Sequence, residues 1–110
     1  MRVALFDLDG TLLPGDSDHA FGEFLVDIGW ADAAEFARSN DRFYSDYQDG
    51  RLDIGAYIDF ITGPWRARPQ AEADAASRQF IEEIIRPMLR PQALSLIEQH
   101  RRAGDLLAIV

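Results

Sequence analysis

Two carboxylates one residue apart, Asp7 and Asp9, follow the apolar run Val3-Ala4-Leu5-Phe6 and lead into Gly10 and Thr11. Acids at this spacing suit phosphoryl transfer. If Val3 to Phe6 is a strand, both leave its C-terminal end and can face one point in the crevice above a parallel sheet, where open α/β sheets bind ligands. A phosphate monoester repels an anionic nucleophile, so a carboxylate attacks phosphorus only when a divalent cation and hydrogen-bond donors neutralise the phosphoryl oxygens. Mg²⁺ fits that requirement, because it takes hard oxygens from one or two carboxylates and leaves positions for water and substrate phosphate. The chain has no cysteine, which excludes thiolate sites. Gly10 permits a tight turn, and Thr11 offers a hydroxyl to brace it. The competing explanation is a pair of solvated acids at a strand-end turn.

The elements that must position these residues can be read along the chain. After the loop Leu12-Leu13-Pro14-Gly15, Ser17 is expected to cap a helix carrying Phe21, Phe24, Leu25 and Ile28 on one face, ended by Gly29. Asp32 with Glu35 three residues on has the spacing of a capping box, and opens a helix with Phe36, Phe43, Tyr44 and Tyr47 inward, stopped at Asp49-Gly50. Asp53 caps a third helix, with Ile54, Tyr57, Ile58 and Ile61 in register, before a break at Gly63-Pro64. Pro69 opens a fourth, which gathers Phe80, Ile81, Ile84 and Ile85 until Pro87 interrupts it. A connecting helix from Pro91 to Arg102 is stopped by Gly104, and Leu106 to Val110 reads as a continuous apolar strand. Parallel strands need a crossover, and one helix of about a dozen residues would suffice. Here nearly the whole chain lies between them, so a helical module is expected as an insertion.

Asp7-Leu8-Asp9-Gly10-Thr11, close behind an N-terminal strand, closely resembles the first motif of the haloacid dehalogenase superfamily, and the helical insertion resembles the cap of its phosphoserine-phosphatase-like branch. The resemblance implies an α/β fold with a Rossmann-like parallel sheet, of which the chain holds the first two strands. Its core would comprise residues 1–15 and 89–110, with a helical cap over 16–88. It implies a Mg²⁺-dependent phosphomonoesterase, with Asp7 as nucleophile and metal ligand. Asp9 would act as acid/base and give the metal its main-chain carbonyl. The amides of the loop, Leu8, Gly10 and Thr11, would face the phosphate. The substrate would be a small phosphorylated metabolite such as phosphoserine or histidinol phosphate. In that branch a cap acid, usually Glu, helps to hold the substrate's amino group. Asp16 stands at the corresponding place, one methylene shorter, and His19 follows in the same cluster as a candidate phosphate contact. Asp16 and Asp18 would equally favour a helix N-terminus by charge alone.

Composition narrows the partners. With 110 residues and 47% hydrophobic content, the chain is the size of one small domain. A formal charge of -8 argues against non-specific binding to nucleic acid or anionic membranes. The absence of cysteine fits a reducing compartment, and no segment approaches signal-peptide or membrane-spanning character, so a cytoplasmic location is expected. All eleven basic residues are arginine. Members of the resembling superfamily also use a Ser or Thr after the second core strand, a Lys, and a further acidic pair. The chain is therefore expected to be the N-terminal portion of a longer phosphatase, inactive alone and able to self-associate through a bare sheet edge. The alternatives are a non-catalytic interaction module, or a phosphotransferase that uses the same Asp.

Overall fold

The computed structural model describes residues 1–110. β1 (Val3–Phe6) and β2 (Leu106–Ile109) form a two-stranded parallel sheet in the register Val3↔Leu106 to Phe6↔Ile109. Between them lie α1 (Ser17–Asp27), α2 (Ala33–Gln48), α3 (Ile54–Arg66), α4 (Gln70–Phe80), the short α5 (Arg86–Met88) and α6 (Pro91–Arg102). The architecture is α/β, mostly helical, with the helices inserted after the first strand. The chain forms two compact units: Met1–Ala20 with Arg78–Val110, and Phe21–Ser77. No helix is long and apolar enough to cross a membrane.

In the unit that holds the sheet, the buried residues are Phe6, Leu12 and Leu13. The Leu12 carbonyl accepts from the Arg90 N–H at 3.2 Å, which ties the loop after β1 to the start of α6. Edge-on packing of the Phe6 and His100 rings, with centroids 5.9 Å apart, seats the far end of α6 on the strand pair. Much of the sheet is uncovered, with Val3, Leu5, Leu106 and Ile109 all more than half exposed.

One polar clamp fixes the lower end of the sheet. The Asp105 carboxylate, 6% exposed, accepts from Arg2 Nε at 3.2 Å and lies 2.7 Å from His100 Nδ1. The hydrogen bond to His100 holds the Asp105 carboxyl below the ordinary carboxylate value of 3.8, with the charges of Arg2 and His100 acting in the same direction against desolvation. A carboxyl whose folded pKa lies below its unfolded one binds protons more weakly when folded, so its contribution is complete above the unfolded value and lost as pH falls through the folded one. Urea unfolding should therefore show wild type more stable than Asp105→Asn near neutral pH. The gap should shrink as pH falls through about 3.8, where the unfolded-state carboxyl is half-protonated, and close below the lowered folded value. A gap unchanged into strong acid would remove Asp105 as its source.

In the helical unit the buried residues are Gly22, Phe24, Leu25, Ala73 and Ala76. Helix α2 approaches α1 at Gly22, where a built Cβ would lie 2.6 Å from Phe36 Cζ, so a side chain there would collide with the ring. An aromatic cluster joins α2 to α3: Phe60 lies 5.0 Å from Phe36 and 5.1 Å from Phe43, and Tyr57 is 5.6 Å from Phe43. Asp32 and Asp53 cap α2 and α3 as expected, accepting from Glu35 N and Ala56 N at 2.9 and 3.0 Å. Glycines at positive φ stop α1, α2 and α6 at Gly29, Gly50 and Gly104, and the next N–H in each case returns to a carbonyl five residues earlier.

Three expectations change. Helix α3 does not break at Gly63-Pro64 but runs to Arg66. Proline removes one hydrogen bond there, whereas Trp65 adds two, donating Nε1–H to Ala73 O and Ser77 Oγ at 3.1 Å each and so pinning the last turn to α4. The inward faces also differ: Tyr44 and Tyr47 are 60% and 67% exposed, and Ile54 and Ile58 are exposed too. Tyr44 stands about 100° around α2 from Phe43, and Phe60 takes the position facing the α2 aromatics. Finally, Pro87 does not stop the helical path: α4 passes into a wider turn over Ile81–Ile85, and α5 carries the proline. The Arg86 N–H reaches Ile81 O, one residue further back than in an α-helix, which relieves the clash that the Pro87 ring would make with the preceding turn.

Candidate active site

Asp7 follows β1 directly and keeps extended backbone angles, φ -78° and ψ 141°. The chain then turns sharply. Asp9 at φ -71°, ψ 129° and Gly10 at φ 72°, ψ 0° are the two central residues of a type II turn, whose second position requires the positive φ that glycine adopts without strain. The Leu12 and Leu13 N–H groups reach back to the carbonyls of Asp7 and Leu8 at 3.3 and 3.0 Å, and Gly10 N–H donates to Gly15 O at 3.1 Å. Leu12 and Leu13 anchor this loop beneath the surface. Asp7 and Asp9 are thereby held exposed at the C-terminal end of the strand.

Each acid has a positioning contact. Thr11 Oγ1 donates to Asp7 Oδ2 at 3.3 Å, the bracing expected of that hydroxyl. Because a carboxylate offers about four lone-pair sites, the long bond to one oxygen leaves the group able to accept further partners. Asp9 Oδ1 accepts from the Ser17 N–H at 2.9 Å, one of the unpaired donors at the start of α1. The positive end of a helix favours an acid at this position.

The cap of α1 is Asp16 rather than Ser17. Asp16 Oδ1 accepts from the N–H groups of Asp18 and His19 at 2.8 and 3.3 Å, and Ser17 is the first helical residue. Asp16 and His19 thus meet at the helix start through the backbone of His19, and both residues are exposed. Sequence reasoning missed two features. The Ser17 N–H joins Asp9 across eight residues, a contact that no local spacing signals. Asp18 was noted only as a helix-start acid, yet desolvation raises its pKa, and the charges of Asp16 and then Asp9 push it further in the same direction. Alternation of Asp16 and Asp18 on the first turn was the available signal.

Surplus negative potential is therefore built into this end of the unit. No three acid or imidazole side chains are gathered into a metal cage. Mg²⁺ does not require one, since one or two carboxylate ligands with water and phosphate complete its shell. Hard oxygens, excess negative charge and an exposed Asp7 form a donor set that fits the ion. Of the three residues expected to face a phosphate, Gly10 has its N–H committed to the loop's own closure, so its part here is to shape the turn.

Comparison with known proteins places the chain in a family. The sequence model of the haloacid dehalogenase-like hydrolases matches residues 4–110. A histidinol-phosphatase of Neisseria meningitidis serogroup C (strain 8013) is 40% identical over 109 residues, which are 99% of this chain and 49% of that protein. A crystal structure of a protein of unknown function from Bordetella pertussis Tohama I superposes with a TM-score of 0.85 at 42% identity, covering 99% of this chain and 49% of that one. The chain spans about half the length of both relatives.

Proposed function

Because this chain belongs to the haloacid dehalogenase-like hydrolase family, we propose that it supplies the nucleophile loop of a phosphomonoesterase. Asp7 attacks the phosphorus of a small phosphorylated metabolite, forming an aspartyl phosphate as the alkoxide leaves. The observation that carries this reading is the pair of exposed carboxylates at the end of β1, each held by its own donor. Asp9 protonates the leaving oxygen and then takes a proton from the water that hydrolyses the acyl phosphate. The Asp7 carboxylate and the Asp9 main-chain carbonyl are the ligands assigned to Mg²⁺, which supplies charge neutralisation at the phosphoryl oxygens. Among phosphate monoesters we favour histidinol phosphate, on the strength of the 40% identical histidinol-phosphatase. The helical insertion, which separates β1 from β2 in sequence, is the part we assign to discrimination among substrates.

Beryllofluoride mimics a phosphoryl group on a carboxylate and tests the site without turnover. Added with Mg²⁺, it should shift the amide resonances of Leu8 to Thr11 and leave those of α3 in place. Unchanged loop resonances at millimolar metal would overturn the assignment of a phosphoryl site to this loop.

A further inference from the structure

Side chains alternate across a strand, so the register Val3↔Leu106 and Leu5↔Ala108 sets those four residues on one face of the sheet. Phe6, on the opposite face, receives α6 through the ring of His100. The face of Val3, Leu5, Leu106 and Ala108 is apolar throughout and largely uncovered, its three larger residues each more than half exposed. β1 is also open along one side. Leu106 and Val110 donate to the carbonyls of Arg2 and Phe6 at 2.9 and 2.8 Å. By alternation the main-chain groups of Val3 and Leu5 point away from β2, along an edge that carries no strand.

One neighbour would close both openings. Parallel sheets occur with helices on both faces. Ligand crevices in such sheets form beyond the strand ends, where adjacent crossovers leave on opposite faces. Asp7 follows the end of β1, and the crossover from β1 to β2 returns through α6 on one face. A crevice at Asp7 therefore calls for a strand on the far side of β1 whose crossover helix lies on the other face. A second copy of this chain is a poor occupant. Two strands of four residues present only about 13 by 10 Å, far short of the roughly 800 Å² per partner of a stable dimer. Length points to a better one: the chain spans 49% of each relative, so a stretch of about equal size in those proteins has no counterpart here.

We infer that the open edge of β1 and the face of Val3, Leu5, Leu106 and Ala108 form the docking surface for the half of the family fold that this chain does not span. That half adds a parallel strand through the main-chain groups of Val3 and Leu5 and lays a crossover helix on the apolar face. Docking rests on the family assignment and not on the roles given to Asp7 and Asp9.

The test is co-expression of the 110-residue chain with the part of the Neisseria meningitidis histidinol-phosphatase that it does not match, and separately with the corresponding part of the Bordetella pertussis protein. A 1:1 complex should purify with at least one of them, and in it the Val3 and Leu5 amides should exchange with solvent about 100-fold more slowly than in the chain alone. Leu5→Arg and Leu106→Arg, both at exposed positions, should each weaken the complex about tenfold or more, whereas Ile54→Arg on α3 should leave it intact. Docking is overturned if neither part forms a complex, if Val3 and Leu5 exchange as fast in the complex as outside it, or if both sheet variants bind like wild type. A complex that forms in this way but shows no phosphatase activity keeps the docking surface and counts against the phosphoryl chemistry alone.

Discussion

On the proposed mechanism, Asp7→Asn is expected to lower kcat for phosphate-monoester hydrolysis by about 10⁴-fold or more, as the loss of a covalent nucleophile does elsewhere. The substitution is nearly isosteric. An amide oxygen can still accept from Thr11 Oγ1, so the contact seen at 3.3 Å survives in the variant. What disappears is the negative charge and, with it, the anionic oxygen that attacks phosphorus. At about 1.4 kcal/mol per decade, the loss corresponds to roughly 5 kcal/mol of transition-state stabilisation. An exposed surface substitution changes folding stability by within about 0.5 kcal/mol. The two effects separate cleanly: turnover collapses while the urea midpoint holds. A variant with more than about a tenth of wild-type turnover would remove Asp7 from the nucleophile's position, since no other effect of so conservative a change is large enough to be confused with it.

The parts of this structure that were legible in the sequence are those decided by near neighbours. Asp32 and Asp53 announce helix starts because each side chain reaches an N–H three residues on. Gly29, Gly50 and Gly104 announce stops because a left-handed residue is needed there and glycine adopts one freely. The two apolar runs announce strands, and Asp7 and Asp9 stand where the end of the first strand requires. The hidden parts depend on residues distant in sequence. Pro64 reads as a break until Trp65 finds its two acceptors on α4. Asp16 and Ser17 are equally good caps by type; in the fold Asp16 Oδ1 takes the Asp18 and His19 N–H groups, while the Ser17 N–H goes to Asp9. Hydrophobic periodicity placed Tyr44 and Ile54 inward, yet only positions facing a packed partner are covered, and Phe60 claims that role on α3.

The Ser17–Asp9 contact makes the second carboxylate the more discriminating test. Asp9→Asn is expected to reduce kcat on an alkyl phosphate by about 10²–10⁴-fold, the usual contribution of general acid–base catalysis. The variant should keep its geometry, because the Asn side-chain oxygen can accept the Ser17 N–H in place of Asp9 Oδ1, now bonded at 2.9 Å. Losing the negative charge at the start of α1 removes a helix-end interaction of about 0.3–1 kcal/mol, far less than the catalytic loss. The two half-reactions should then part company. An aryl phosphate with an acidic phenol leaves without a proton donor, so phosphorylation of Asp7 from that substrate should remain fast. Hydrolysis of the aspartyl phosphate still requires a base, so the phosphoenzyme should accumulate and appear as a burst of phenol followed by slow turnover. Alkyl phosphates should show no burst, because their first step needs the missing acid. Equal losses on both substrates with no accumulating phosphoenzyme would show that Asp9 only shapes the loop, and the proton would then have to come from another group at this end of the unit.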